Sequence, residues 1–147
     1  MRPRGVNRVV MAVNDLSKAV DLYSDLLNTT FIDVSDGAEP FGLSAAISFD
    51  AGIELCAPLP GRDSFVRRFI DQHGEGLMWV VLVLDDVDQT HDKAKEMGIG
   101  VLALIADYDQ DYIDRHLEGR YKKYKEYMLK PADTFGAGVI IGQIEPK

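Results

Sequence analysis

A chain of 147 residues, of which 46% are hydrophobic, is long enough for one domain with a buried core and too short for two ordinary ones. Its net charge of -8 argues against a nucleic-acid-binding surface, because no basic excess is present to displace phosphate counterions. The single cysteine, Cys56, cannot form an internal disulfide, the first residues contain no apolar region of signal-peptide length, and no apolar run is long enough to span a membrane. We therefore expect a cytoplasmic protein that acts on a small molecule, with no nucleic-acid or membrane partner.

A repeat is the strongest internal signal. The segment RVVMAVNDL at residues 8–16 aligns without a gap on WVVLVLDDV at residues 79–87, at an offset of 71 residues. Each copy is a β-branched run typical of a buried strand, then an Asp at a turn, then apolar residues at helical spacing. Each half of the chain is therefore predicted to begin with a strand and a helix.

Three more strands are predicted in each half, from short runs rich in β-branched and aromatic residues bounded by turn residues. Both halves are thus predicted to be βαβββ modules of an α+β fold, and residues 63–73, with apolar side chains on one helical face, are predicted to form a linker helix. The additional strands are expected at residues 30–34, 45–49 and 53–56 in the first half and at 101–105, 126–130 and 139–142 in the second.

The second half contains an insertion. Aligning residues 53–58 with residues 141–146 requires an offset of 88, so about 17 residues have been added. They are expected within residues 106–124. The stripe of Tyr112, Ile113, His116 and Leu117 predicts an extra helix there.

Paired βαβββ modules, and the run Gly74-Glu-Gly-Leu before a strand, resemble the vicinal oxygen chelate superfamily, which includes glyoxalases, bleomycin-resistance proteins and extradiol dioxygenases. The chain is most similar to the methylmalonyl-CoA epimerase-like members. The resemblance implies a single domain over residues 1–147 with a half-barrel cleft, and a homodimer. Its parts are module 1 (about 5–60), the linker helix (about 62–73) and module 2 (about 76–147, with the insertion at about 106–124).

Metal ligands of this superfamily usually stand on the first and last strands of each module. The resemblance places Arg8, Glu54, Trp79 and Gly142 at those positions, and only Glu54 is a competent ligand. A catalytic metal of the zinc or cobalt kind needs about three protein donors, and an arginine adds repulsion. We therefore expect no metal and no other cofactor.

By the register of the family, Arg8, Glu54 and Trp79 point into the cleft. Arg8 is a candidate for stabilising an enolate, Glu54 is a candidate general base, and Trp79 is a candidate for stacking on the substrate. Tyr127 is expected to supply a proton. Tyr112 and His116 of the inserted helix are expected to bind the substrate or close the cleft.

Structural interpretations of the same residues remain open. Arg8 and Glu54 could simply pair with each other, Trp79 could fill an abandoned metal pocket, and His116 could be a surface residue. His91 is expected to be solvated. The basic stretch at residues 120–125 could bind the phosphates of a coenzyme A ester or form a solvated face.

Two functions fit these patterns. The first is a metal-independent isomerase or lyase that abstracts a proton next to a carbonyl of a small organic acid, thioester or aromatic compound. The second is a non-catalytic protein of the bleomycin-resistance type, which binds and sequesters a small molecule. The cost of burying a carboxylate for packing alone favours the enzyme.

Overall fold

The computed structural model describes all residues from Met1 to Lys147. The chain forms two compact units. The N-terminal unit consists of Arg8–Met78, and the C-terminal unit consists of Trp79–Lys147 together with Met1–Asn7. No helix combines the length and the apolar character needed to cross a membrane.

The N-terminal unit has the elements of a βαβββ module. Strand β1 pairs in parallel with β4, β4 pairs antiparallel with β3, and β3 pairs antiparallel with the short β2. Helix α1 begins at an N-cap, Asp15, whose side chain accepts the Lys18 N–H at 3.1 Å, which satisfies a donor of the first turn. The elements are β1 (Pro3–Ala12), α1 (Leu16–Leu27), β2 (Ile32–Asp33), α2 (Ser35–Ala38), a 3-10 turn (Glu39–Phe41), β3 (Leu43–Ser48), β4 (Ile53–Pro58) and α3 (Phe65–His73).

The C-terminal unit repeats this arrangement. Its first strand, β5, pairs in parallel with its last, β8, and β8 and β6 both pair antiparallel with β7. The N-cap of α4 is Asp86, at the position that aligns with Asp15, and it accepts the Gln89 N–H at 2.9 Å. The elements are β5 (Gly76–Leu84), α4 (Val87–Glu96), β6 (Val101–Tyr108), α5 (Gln110–His116), β7 (Tyr121–Leu129), a 3-10 turn (Pro131–Asp133) and β8 (Gly138–Pro146).

The predicted α+β class with two βαβββ modules and an inserted helix (α5) is confirmed, and α3 lies within the segment predicted to be a linker helix. The insertion lies in the β6–β7 connection, where β7 begins at Tyr121 rather than at the expected residue 126. The run of lysines at residues 122, 123 and 125 obscures the alternation of β7 in the sequence. The ladder with β8, which extends to the pair Tyr121↔Pro146, makes this segment a strand.

Two further differences concern short segments. β2 is only Ile32–Asp33, and Ser35–Ala38 forms a helical turn that the sequence did not predict. The first residues of the chain join the C-terminal unit, where the Arg2 N–H donates to the Asp85 carboxylate at 2.6 Å. These contacts depend on residues far apart in the chain, which a local pattern does not report.

Candidate functional site

One face of the N-terminal sheet carries the predicted catalytic pair. The register Val10↔Glu54 and Ala12↔Cys56 puts these side chains on the same face as Arg8. Helix α1 packs against the opposite face, where the Tyr23 hydroxyl lies 3.7 Å from the Met11 sulfur. We call the first of these surfaces the Arg8 face.

Arg8 and Glu54 form a buried ion pair on the Arg8 face. The Nε and Nη2 atoms of Arg8 lie 2.8 Å and 2.7 Å from the same oxygen of Glu54, Oε1. The other oxygen, Oε2, accepts the Cys56 thiol at 3.2 Å. Arg8 is 3% exposed and Glu54 is 13% exposed. Both carboxylate oxygens therefore have donors, and the pairing that the sequence left open is present.

The predicted positions in the C-terminal unit lie on the sheet face opposite to α4. The register Trp79↔Gly138 and Val83↔Gly142 places Trp79 and Gly142 together on this face. Helix α4 covers the other surface, where its apolar side chains pack against Leu129 and Ile141. We call these surfaces the Trp79 face and the α4 face.

Glu126 is a buried carboxylate on the Trp79 face, and the sequence analysis did not single it out. It lies opposite Gly142 in the β7–β8 ladder and is only 1% exposed. A Cβ atom added to Gly142 would stand 3.2 Å from the Glu126 Cγ atom. The side chain of Glu126 thus occupies the space that a side chain on residue 142 would need. Its alternation with the buried residues Tyr124 and Met128 is the sequence signal that could have revealed it.

Tyr127 lies on the α4 face, next to Glu126 in sequence but on the opposite side of β7. Its hydroxyl donates to Asp88 of α4 at 2.8 Å, and the Lys125 ammonium lies 2.8 Å from the same carboxylate oxygen. His91 stacks on the Tyr127 ring at a centroid distance of 4.3 Å rather than being solvated. Tyr127 also lines a groove of about 550 Å³ on this face. The hydroxyl proton of Tyr127 is engaged by Asp88. The role of Tyr127 as a proton donor to a substrate stays a prediction.

The groups around Asp88 titrate abnormally. The hydrogen bonds from Lys125 and, secondarily, Tyr127 hold the pKa of Asp88 below its ordinary value. The same hydrogen bond to Asp88 raises the pKa of Lys125. Burial, followed by the hydrogen bond to Asp88, raises the pKa of Tyr127. The basic stretch therefore has at least one lysine, Lys125, that is engaged in an internal ion pair.

The inserted helix, α5, contributes Tyr112 and His116 to an aromatic row that also includes Tyr108 of β6 and Tyr124 of β7. Tyr112 stacks between Tyr108 and His116, at centroid distances of 4.2 Å and 4.4 Å. Tyr108 in turn stacks on Tyr124 at 5.1 Å, and Tyr124 shares the Trp79 face with Glu126. The structure thus brings both predicted binding residues of α5 into a row of rings that reaches the strand carrying Glu126.

The residues present do not fit the metal that the superfamily often carries. At the family's ligand positions in the N-terminal unit the one carboxylate, Glu54, is bonded to a guanidinium, and at those positions in the C-terminal unit Trp79 and Gly142 offer no donor atom from their side chains. No group of three or more His, Cys, Asp or Glu side chains is arranged to hold a metal ion.

Comparison with known proteins indicates a family. The model of the Glyoxalase/Bleomycin resistance protein/Dioxygenase superfamily matches residues 5–137. No protein of curated function is matched by this sequence.

Among solved structures, a selenomethionine form of methylmalonyl-CoA epimerase has a TM-score of 0.72 and 18% identity, with 100% of this chain and 99% of that chain covered. Methylmalonyl-CoA epimerase from Mycobacterium tuberculosis has a TM-score of 0.69 and 22% identity, with 97% and 88% covered. A hypothetical protein from Bacillus halodurans C-125 has a TM-score of 0.71 and 17% identity, with 97% and 95% covered. At these identities the likeness shows the fold alone.

Proposed function

We propose, because this chain belongs to the Glyoxalase/Bleomycin resistance protein/Dioxygenase superfamily, that it is a metal-independent enzyme of small-molecule metabolism. Its reaction is an isomerisation or elimination that begins with removal of a proton next to a carbonyl. The substrate class is a small organic acid, a thioester or an aromatic carbonyl compound. The methylmalonyl-CoA epimerases that share the fold make a coenzyme A thioester the first compound to test.

The buried Arg8–Glu54 pair is the observation that supports this proposal. Its neighbours on the Arg8 face are Val10, Ala12 and Cys56, all of them fully buried. A buried ion pair seldom stabilises a protein more than apolar side chains of similar volume, because two charges must be desolvated. Retaining the pair on an otherwise apolar face therefore favours a chemical role.

The two side chains have complementary roles in this reaction. Glu54 accepts the proton from carbon, and the electron pair of the C–H bond moves onto the carbonyl oxygen as an enolate. Arg8 offers a fixed cation to that oxygen, the position at which negative charge develops. A substrate oxygen that competes for the guanidinium also releases Glu54 from its partner. Tyr127 is left out of this scheme because its hydroxyl donates to Asp88.

Hydrogen exchange tests the proposal without requiring the product to be known. Protein treated with a chelator and desalted is incubated in D₂O with methylmalonyl-CoA, acetoacetate or pyruvate, and deuterium on carbon is measured by mass spectrometry. We expect incorporation faster than in a protein-free control with at least one probe. Glu54→Gln should lower its rate at least 100-fold, the lower end of what general bases contribute, while equilibrium dialysis shows probe affinity within threefold.

The matched control is Glu39→Gln, which removes an exposed carboxylate of the same unit and should leave exchange unchanged. Full exchange in Glu54→Gln would refute the assigned base. The absence of exchange with every probe would refute the enzyme proposal.

The aromatic row favours a second candidate function, which is binding and sequestration of a planar or cationic compound. Aromatic faces hold such ligands by stacking and cation–π attraction. Metal-free bleomycin serves as the probe. This function predicts stoichiometric binding that Trp79→Ala weakens and recovery of unmodified ligand after long incubation. A new product in that incubation would count against it.

We also propose that the chain folds as a single domain and assembles as a homodimer, as the superfamily resemblance implies. A single cooperative unfolding transition is expected for the domain. Sedimentation velocity at micromolar concentration should give a dimer, and a monomer would remove that part of the proposal.

A further inference from the structure

We infer that the α4 face carries a second binding site, which takes a monocarboxylate with an apolar chain into the groove between α4 and β6. The groove has a volume of about 550 Å³, within the range of about 300–1,000 Å³ that is typical of small-molecule sites. All the residues that line it belong to the C-terminal unit. The Arg8–Glu54 pair belongs to the N-terminal unit, so this inference goes beyond the proposed reaction and does not depend on it. We call this site the α4–β6 groove.

An irregularity in β6 builds the apolar wall of the groove. The ladder with β7 pairs Val101 with Leu129 and Leu104 with Tyr127, and its register shifts between Val101 and Ala103. In a regular strand, residues three positions apart point to opposite faces of the sheet. Because Leu129 and Tyr127 are two positions apart and share the α4 face, the shift brings Val101 and Leu104 onto that face together. One ligand can therefore contact both side chains.

Part of this apolar wall is uncovered. Ile99 and Val101 pack against the buried cluster under α4, whereas Leu104 is 47% exposed. β6 is the outermost strand, so no further strand covers Leu104. At the turn after α4, a Cβ atom added to Gly98 would meet no atom within 4 Å, which leaves that side of the groove open to an entering chain. An apolar chain lying along β6 would remove this surface from water.

Lys95 supplies the cation that a carboxylate would bind. It follows His91 by one helical turn, and both side chains line the groove. The Lys95 ammonium takes part in none of the ion pairs or hydrogen bonds of the chain. Its charge is therefore available to a ligand.

The groove offers this cation without a competing carboxylate in its lining. Two acidic side chains border the lining residues, and each has a partner of its own. Asp133 accepts the Gly100 N–H at 2.8 Å, and Asp92 lies 3.3 Å from Nδ1 of His91. In a chain whose net charge is -8, a groove with an unpaired lysine and an apolar wall favours an anion that also has an apolar part.

Octanoate is the probe that tests this inference, because it combines one carboxylate with an apolar chain. A titration followed by two-dimensional NMR of the backbone amides reports both the affinity and the position of binding. We expect saturable binding, with the largest shifts at residues 98–104 and in the last turn of α4. The neutral analogue 1-octanol should bind about fivefold more weakly, because it lacks the charge that Lys95 attracts. Octylammonium, which has the opposite charge, should bind more weakly than octanol.

Three variants separate the charge from the apolar wall. Lys95→Gln should weaken octanoate binding about fivefold and leave octanol binding within about twofold. The matched control is Lys93→Gln, which removes a lysine from the same turn of α4 but outside the groove, and which should leave both affinities unchanged. Leu104→Ser should weaken octanoate and octanol alike, by about tenfold. Thermal melting confirms that each variant is folded, as expected for exposed or half-exposed positions.

Several results would overturn the inference. Equal octanoate affinity in Lys95→Gln and the unmodified protein would remove the assigned cation, and equal losses in Lys95→Gln and Lys93→Gln would reduce the attraction to a general charge effect. Octylammonium that bound as tightly as octanoate, or amide shifts that clustered away from the groove, would also contradict it. If the unmodified protein bound no octanoate and Leu104→Ser dissociated a dimer in sedimentation velocity, the groove would be an interface between copies of the chain instead.

Discussion

The guanidinium of Arg8 donates twice to a single carboxylate oxygen of Glu54, at 2.7 Å and 2.8 Å, while the other oxygen accepts the Cys56 thiol. Neither charge has much access to water. Removal of Arg8 therefore leaves the Glu54 carboxylate without its counter-ion, whereas the removal of both replaces the pair with apolar side chains. This asymmetry makes the pair testable by stability alone.

Arg8→Met should lower the free energy of unfolding by about 3 kcal/mol, because the Glu54 carboxylate is left without its counter-ion. The double variant Arg8→Met, Glu54→Leu should recover most of that loss, while carbon–hydrogen exchange stays absent. Urea unfolding followed by circular dichroism measures both. Losses that simply add in the double variant would mean that the two residues do not depend on each other.

Gly142→Ala should destabilise the protein by about 1–3 kcal/mol, because the added methyl group must displace the Glu126 side chain. In a Glu126→Ala background the same change should cost much less, since the obstructing Cγ atom is gone. The four unfolding free energies form a double-mutant cycle. An equal cost of Gly142→Ala in both backgrounds would show that glycine is required there for another reason.

Asp88→Asn should lower the free energy of unfolding at pH 7 by about 0.5–1 kcal/mol, the range of exposed ion pairs, because this carboxylate is half-exposed. The hydrogen bonds from Lys125 and Tyr127 hold the pKa of Asp88 below its ordinary value of 3.8. The carboxylate therefore contributes its full stability above pH 3.8 and loses it as the pH falls through the lowered pKa of the folded state. At high pH the ion pair loses its contribution to stability when Lys125 gives up its proton, and the hydrogen bond to Asp88 raises the pKa at which this happens.

Unfolding of Asp88→Asn and of the unmodified protein across this pH range, with Glu96→Gln as the control from the same helix, checks this prediction. The difference between the first two should shrink as the pH falls below 3.8. A difference that grew with acidity would contradict the pairing.

Tyr112→Leu should lower the free energy of unfolding by about 0.5–1.5 kcal/mol through the loss of its stacking on Tyr108 and His116. Leu117→Ala, at a fully buried position just after α5, should cost about 2–5 kcal/mol. A drop in ligand affinity with Tyr112→Leu that exceeds the effect of Leu117→Ala would assign the aromatic row to binding. The reverse order would assign it to anchoring the inserted helix.

The sequence by itself determined the two modules. Position pairs such as Asp15 and Asp86, which cap equivalent helices, follow from local rules of helix initiation and from the 71-residue repeat. The inserted helix followed from the periodicity of Tyr112, Ile113, His116 and Leu117. The sequence also showed that Arg8, Trp79 and Gly142 are not metal-ligand residue types, because the identity of a side chain does not depend on the fold.

Only the tertiary structure decided how the polar side chains are used. Arg8 and Glu54 are 46 residues apart, and their pairing depends on the parallel register of β1 and β4. Glu126 was overlooked, and Tyr127 lies on the opposite face of β7, where its hydroxyl donates to Asp88. A shift of one residue along a strand moves a side chain to the opposite face, and the register of β7 is fixed by pairing with β8 rather than by its own sequence.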